Sequence, residues 1–331
     1  MPSDIERVTD AYRSRLLQAD AAAHARIVVA HTRARDAILA RLAETIASLP
    51  ESERRVLANA RWRALLDDVE DRITAFARGV GAEVVAGQRA AVVLAGEATR
   101  ASLAIQAPRL VGSFASVPTS ALVDVVGAMR DGSPLGAYLA EYGPKARAAA
   151  EDVLTNAVTL GLGPREEADE LAAVLNTSKW LSLTTARSAV LDALRNASLR
   201  TYAANARILD GWVWIATRSR SSCLGCLHRH GSVYPLSARF FPSHANCRCS
   251  PAPVATGGRG VVDETGEAWF ARQDASTQQA MMSGDAYAAY QRGEVTLADF
   301  AGERNDPRWG PSVYERSWAE VAATTSVKRA A

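Results

Sequence analysis

All four cysteines of this 331-residue chain fall within a stretch of 27 residues, and this crowding constrains the fold more than any other feature. Cys223 and Cys226 form a C-x2-C pair. After a spacer of 17 residues, His244, Cys247 and Cys249 follow as H-x2-C-x-C. Thiolates on a tight turn can face one ion, and a distant His/Cys pair completes the tetrahedron that structural zinc requires. We therefore expect one zinc ion to cross-link this segment.

Five candidate donors compete for four positions around the ion. Cys223, Cys226 and His244 are the first three expected ligands. Either Cys247 or Cys249 is expected as the fourth, because we expect the two thiols of an extended C-x-C segment to point to opposite sides. Two further histidines, His228 and His230, are reserve donors.

The role of the zinc is predicted from what surrounds it in the sequence. No Asp or Glu occurs between Gly211 and Val262, so a general base beside the ion is missing and a structural role is favoured over a catalytic one. We predict no catalytic residue. A disulfide is a weaker alternative, because the first residues, MPSDIERVTD, lack a secretory signal and we expect reduced thiols in cytosol. Redox catalysis and metal-free packing of buried thiols are the remaining readings.

The hydrophobic pattern predicts an α+β fold that is mainly α. Apolar residues recur at intervals of three and four through most of the first 208 residues, which is typical of amphipathic helices. Helices are predicted over 5–48, 52–78, 83–106, 119–130, 134–161, 165–175 and 182–208, with breaks at Gly79 and Gly81 and a cap at Thr184 or Thr185. Strands are predicted over 212–216 and 232–236, and further helices over 267–283 and 286–291.

This pattern divides the chain into three predicted regions. Residues 1–175 form a long helical N-terminal part, residues 176–255 form a small zinc-clipped α+β module, and residues 256–331 form a helical C-terminal extension. No apolar stretch is long enough to cross a bilayer without charge, since the best candidate, 84–105, carries Gln88, Arg89, Glu97 and Arg100. No membrane partner is predicted.

The middle of the chain is strongly basic. Residues 176–259 carry 11 basic residues against two acidic ones, Asp192 and Asp210. Such a segment can attract phosphates or an acidic protein surface. We expect Arg218 and Arg220 to contribute to such contacts, unless the acidic flanks balance the charge.

Five separated motifs resemble the phage Mu F-like minor head proteins in order and spacing. They are Thr185-Ala186-Arg187-Ser188-Ala189-Val190, Gly211-Trp212-Val213-Trp214, Cys223-x2-Cys226, His230-Gly231-x-x-Tyr234-Pro235 and His244-x-Asn246-Cys247-Arg248-Cys249. The segment from Trp269 to Phe300 is also similar to the part that follows the cysteines in this family. The resemblance implies a non-enzymatic minor capsid protein in the virion, made in the host cytoplasm. Its implied partners are the portal protein or the major capsid protein, with packaged DNA as a further contact through 176–259.

Two other functions compete with this interpretation. A His-Asn-His type nuclease is suggested by His228, His230, His244 and Asn246 beside the C-x2-C pair, but HANCRCSPAP leads into prolines where such enzymes place a helix. A zinc-containing nucleic-acid-binding protein is suggested by the basic segment. The absence of a recognition helix within the zinc loop counts against sequence-specific reading of DNA.

Overall fold

The computed structural model describes residues 3–50, 60–129, 132–160, 162–241, 244, 246–258, 261–306 and 310–330. The α-helices are α1 (Asp4–Ser48), α2 (Ala60–Gln106), α3 (Leu135–Ala140), α4 (Tyr142–Leu160), α5 (Pro164–Ala204), α6 (Leu224–Arg229), α7 (Gly266–Ala271), α8 (Ala275–Met281), α9 (Gly284–Gln291) and α10 (Trp318–Ala330). The strands are β1 (Leu209–Ile215), β2 (Val233–Tyr234), β3 (Ser250–Ala255), β4 (Ala301–Asp306) and β5 (Gly310–Glu315). The predicted α+β class with mainly helix is confirmed.

The chain forms two compact units. The first unit comprises Met1–Leu17, Arg89–Val125 and Leu191–Ala331, and the second comprises Gln18–Gln88 and Val126–Val190. The predicted boundary between residues 175 and 176 lies inside helix α5. The division into three regions at 175 and 255 stays a prediction. None of the described helices combines the length and the hydropathy needed to cross a membrane.

Helices are the main elements in the part of the second unit that the structure describes. Apolar side chains at helical spacing are buried along its parts of α1 and α2, among them Ile38, Leu42, Val69 and Ile73. Burial of such a stripe removes apolar area from water and is the main force that holds amphipathic helices together.

The predicted helix break at Gly79 and Gly81 is wrong, because α2 runs without interruption through both positions. A single glycine inside a helix costs only about 1 kcal/mol relative to alanine, which tertiary packing outweighs. Gly81 lies against Leu139, where an added Cβ would come within 3.1 Å of the leucine side chain. The small residue therefore allows close packing.

The predicted break between residues 175 and 182 is also wrong, since α5 is continuous from Pro164 to Ala204. Thr185 is consequently not a helix cap. Its side chain is buried and its hydroxyl lies 3.2 Å from the hydroxyl of Tyr142. A hydroxyl that finds a buried partner is tolerated in the interior of a helix.

A three-stranded antiparallel sheet with the order β2-β1-β3 forms the centre of the first unit. Both predicted strands are present, as β1 and the short β2. Trp212 and Trp214 pack on one face of β1 with the main core, whereas Val213 and Ile215 pack on the other face against Ile5. Strand β1 is therefore buried on both faces, and Ile5 in the first turn of α1 covers the second face.

Strand β3 and the hairpin of β4 and β5 were not predicted. Pro251 and Pro253 lie in β3, and proline argues against a central strand. The sheet order makes β3 an edge strand, where a missing N–H can face away from the ladder without loss of a hydrogen bond. The two prolines pair in register with Trp214 and Trp212.

Candidate metal centre

The C-x2-C pair lies at the start of the one-and-a-half-turn helix α6. Cys223 is the N-cap residue, and its Sγ accepts a hydrogen bond from the backbone N–H of Cys226 at 3.2 Å. Leu224 and Leu227 are fully buried and anchor this short helix in the core. The turn therefore presents the two sulfur atoms together, as the C-x2-C spacing predicts.

The five predicted donors meet in two overlapping groups that share Cys226. The ligand atoms of Cys223, Cys226 and His244 lie within 4.8 Å of one another, and so do those of Cys226, Cys247 and Cys249. The sulfur atoms of Cys226 and Cys247 are 3.9 Å apart. In a tetrahedron with Zn–S bonds of about 2.3 Å, two sulfurs lie about 3.8 Å apart. The donor types and this distance fit zinc, whose presence and ligands stay predictions.

The expectation that Cys247 and Cys249 point to opposite sides is wrong. Residues two positions apart in extended backbone share a side, and here both sulfurs lie near Cys226. Asn246, with a φ of 63°, turns the backbone directly before them, and β3 begins only at Ser250. Both thiols are therefore available to an ion at Cys226.

Arg195 of helix α5 holds the C-x-C segment in place. Its guanidinium donates hydrogen bonds to the carbonyl oxygens of Cys247 and Cys249, the latter at 3.0 Å, and to the Asp192 carboxylate at 2.7 Å. It also lies 5.1 Å from the ring centre of Phe240. Arg195 and Asp192 are both buried. One feature of the sequence could have indicated this ion pair. Asp192 is one of only two acidic residues in the basic segment 176–259.

Hydrogen bonding within the cluster favours the thiolate form of two cysteines. The Cys226 thiol, assisted by His244, lowers the pKa of Cys223 to about 5. Hydrogen bonds from Cys226 and Cys249, together with the charge of Arg195, lower the pKa of Cys247 well below its usual value. The thiolate is the form of cysteine that binds metals.

A carboxylate that the sequence analysis missed lies beside the cluster. Glu315, at the end of β5, accepts a hydrogen bond of 3.0 Å from the backbone N–H of Leu224. Burial, with a further contribution from Cys223, raises its pKa to about 7. No Asp or Glu occurs between Gly211 and Val262, but the fold brings a carboxylate from elsewhere in the chain to the site. Nothing in the sequence indicated this contact, because residues 256–331 were predicted to be a helical extension and Glu315 is 91 residues from Leu224 in the chain.

The two reserve histidines lie outside both donor groups. His228 Nδ1 is 3.1 Å from a carboxylate oxygen of Glu267. His230 is buried, its Nδ1 accepts from the backbone N–H of Ala216 at 3.1 Å, and its Nε2 lies 3.0 Å from Glu6. Both rings are thus engaged elsewhere.

Much of the charge of the basic segment is paired within the fold. Ion pairs join Arg187 to Asp20, Arg195 to Asp192, Arg200 to Asp124, Arg218 to Glu6 and Glu264, and Arg229 to Glu303. The side chain of Arg218 is only 9% exposed. The expectation that Arg218 contributes to an exposed contact surface is therefore wrong, and its role is to bind the first turn of α1.

Part of the chain matches a known protein family. Residues 148–252, about a third of the chain, match the model of the family described as Phage Mu protein F like protein. The resemblance predicted from the five motifs is confirmed over these residues. The segment from Trp269 to Phe300 lies outside the match. No curated protein and no solved structure matched the chain.

Proposed function

We propose that this chain, which matches the phage Mu F-like family over residues 148–252, is a structural minor capsid protein that acts in head morphogenesis. The family match is the observation that carries the proposal. The proposed place of action is at or near the portal during head assembly and during DNA packaging or ejection. The portal protein or the major capsid protein is the proposed partner, and packaged DNA is a further contact. The proposed location is the virion, with the host cytoplasm during assembly.

The proposed cofactor is one structural zinc ion per chain, held by ligands from Cys223, Cys226, His244, Cys247 and Cys249. The donor groups around Cys226 and the thiolate character of Cys223 and Cys247 support this assignment. When bound, the ion would cross-link helix α6 to the segment before β3. Such a link stabilises a small module whose elements are too short to be stable alone.

The proposed role is non-enzymatic, in preference to a His-Asn-His type nuclease. His244 is followed by a turn at Asn246 and then by strand β3, where such nucleases place a helix. His230, the histidine that would serve as a base, is buried against Glu6. A buried imidazole whose Nδ1 is hydrogen-bonded to Ala216 and whose Nε2 faces the Glu6 carboxylate has no access to a substrate.

Cross-linking mass spectrometry on purified heads and proheads tests the proposed role directly. We expect peptides of this chain in both particles and cross-links from it to the portal protein. The matched control is a Cys226→Ser chain in the same phage, which is expected to be depleted from heads if the zinc-clipped module is needed for assembly. Absence of the natural chain from both particles would refute the proposal.

A plasmid-cleavage assay separates the structural proposal from the nuclease. Purified protein with magnesium, manganese or nickel is expected to leave the DNA intact. If the protein cuts the DNA, and if His244→Ala abolishes cutting whereas His228→Ala does not, the protein is a nuclease and the proposed structural role is wrong. Zinc content measured on the same samples distinguishes loss of the site from loss of chemistry.

A further inference from the structure

A polar recess of about 510 Å³ opens in the first unit next to helix α6. It is separate from the five metal donors, none of which lines it. Side chains that carry hydrogen-bond donors or charge line most of its wall, namely His228, Arg229, Ser232, Tyr234, Glu303 and Arg316. Its volume falls within the range of about 300 to 1,000 Å³ that is typical of small-molecule sites.

The positive charge of Arg229 is poorly compensated within this recess. Its side chain is 12% exposed, and one guanidinium nitrogen donates to the carbonyl oxygen of Gly225 at 3.2 Å. Its only ionic partner among the described residues is Glu303, at 3.3 Å, whose side chain is 82% exposed. A carboxylate so open to water contributes little to the stability of an ion pair.

Arg316 adds a second guanidinium to the same wall. Its backbone N–H donates to the carbonyl oxygen of Phe300 at 2.9 Å, which fixes the chain at this point. Its guanidinium interacts electrostatically with Glu320, which does not line the recess and whose carboxylate accepts hydrogen bonds from Ser317 and Tyr314. The lining of the recess thus holds two arginines and one exposed carboxylate, Glu303, so its net charge is positive.

Two hydroxyl groups complete the set of donors. The Tyr234 hydroxyl interacts with the side chains of Ser232 and Arg229. The Tyr234 ring is held by stacking on Trp212, with ring centres 4.4 Å apart. Donors therefore outnumber acceptors in this recess, and guanidinium groups with hydroxyls are the groups that bind the oxygens of phosphate.

We propose that this recess binds a phosphate group, carried by a free nucleotide or by a nucleic-acid strand. A volume of about 510 Å³ leaves room for a sugar in addition to the phosphate. The site involves neither the metal donors nor their protonation, and it gives a role to Tyr234 of the motif His230-Gly231-x-x-Tyr234-Pro235, which the metal centre does not use.

Isothermal titration of the purified full chain tests the proposal with three probes: inorganic phosphate, thymidine monophosphate and an oligothymidylate without terminal phosphates. Arg316→Gln is expected to weaken phosphate-dependent binding about tenfold, as loss of a hydrogen bond to a charged group does. Arg292→Gln is the matched control, because Arg292 is an exposed arginine of the same unit that pairs with Glu294. It is expected to change affinity by less than about twofold.

Glu303→Gln gives a test with the opposite sign. Removal of the exposed carboxylate is expected to strengthen binding of the same probe several-fold, while zinc content and circular dichroism stay unchanged. Binding of thymidine monophosphate identifies a nucleotide site, and binding of the oligothymidylate alone identifies a strand site. The proposal is overturned if no probe binds, if Arg316→Gln and Arg292→Gln weaken binding equally, or if Glu303→Gln does not strengthen it.

Discussion

Arg195 joins helix α5 to the C-x-C segment of the candidate metal centre through one buried side chain. The Arg195→Ala variant would leave the carboxylate of Asp192 buried without its cation. It would also remove the guanidinium donors from the carbonyl oxygens of Cys247 and Cys249. Removal of one partner of a buried ion pair costs about 3 to 5 kcal/mol. We expect a loss of this size in the free energy of unfolding, measured by urea denaturation.

Arg200→Ala is the matched control for this prediction. Arg200 lies on the same helix and pairs with Asp124, but both side chains are about half exposed. Its loss is expected to cost less than about 1 kcal/mol. Equal effects of the two variants would show that Arg195 does not anchor the C-x-C segment.

The metal ligands are separable by single substitutions. Cys226 belongs to both donor groups, so Cys226→Ser is expected to abolish the content of about one zinc per chain, measured by elemental analysis. His244→Ala is expected to weaken zinc binding more than His228→Ala, because only His244 lies among the thiols. Equal zinc affinity in the two histidine variants would contradict the assignment of His244.

Asp20 makes the stability of the second unit depend on pH. Burial raises its pKa, but hydrogen bonds from His24 and Arg187 outweigh this effect, and the pKa of Asp20 lies below the ordinary value of 3.8. The resulting stabilisation is complete above the unfolded pKa of about 3.9 and is lost as the pH falls through the lower folded value.

We therefore expect Asp20→Asn to destabilise the protein by about 3 kcal/mol near neutral pH and by progressively less below about pH 4. Urea denaturation at a series of pH values measures this difference. Asp36→Asn is the control, because Asp36 lies on the same helix in an exposed pair with Arg35. A penalty at Asp20 that is independent of pH would contradict the role of its charge.

At the scale of elements, we expect the stability of the first unit to depend strongly on the buried side chains of strand β1. Trp212 is 1% exposed, stacks on Tyr234 and lies close to Phe240. Trp212→Ala is expected to lower the free energy of unfolding by about 3 to 5 kcal/mol, as a large-to-small change in a core does. Thermal and urea denaturation measure the loss.

Trp180 supplies the comparison for this substitution. Its side chain lies on α5 and is 65% exposed, so Trp180→Ala is expected to change stability by no more than about 0.5 kcal/mol. A small effect of Trp212→Ala would mean that the two faces of β1 do not carry the core of this unit.

At the scale of the whole molecule, removal of the metal is expected to destabilise the first unit more than the second. Trp212 and Trp214 belong to the core cluster that also contains Cys226, Cys247 and Cys249, and Trp269 and Trp318 pack against it, so their fluorescence reports on the first unit. A strong chelator is expected to shift this fluorescence to longer wavelength and to lower the melting temperature. The helical circular dichroism of the second unit is expected to persist. Fluorescence and melting that do not respond to the chelator would contradict a structural metal.

The sequence alone was sufficient for features that depend on local spacing. Periodicity predicted the long helices and β1, and the C-x2-C and H-x2-C-x-C spacing predicted the five donors that the fold brings together. These patterns are readable because a helix repeats every 3.6 residues, a strand every two, and metal ligands come in pairs on tight turns. The continuity of α2 and α5 was missed, because glycine and polar residues lower helix propensity locally while packing decides the outcome.

Only the tertiary structure decided which side chains meet across the chain. It placed Glu315 beside Leu224, Arg195 on the carbonyl groups of the C-x-C segment, and Glu6 between Arg218 and His230. It also made β3 a strand despite its prolines, because the edge of a sheet tolerates a missing donor. Such contacts join residues far apart in sequence. Their partners are selected by burial and charge in three dimensions, and no periodicity in the sequence records that selection.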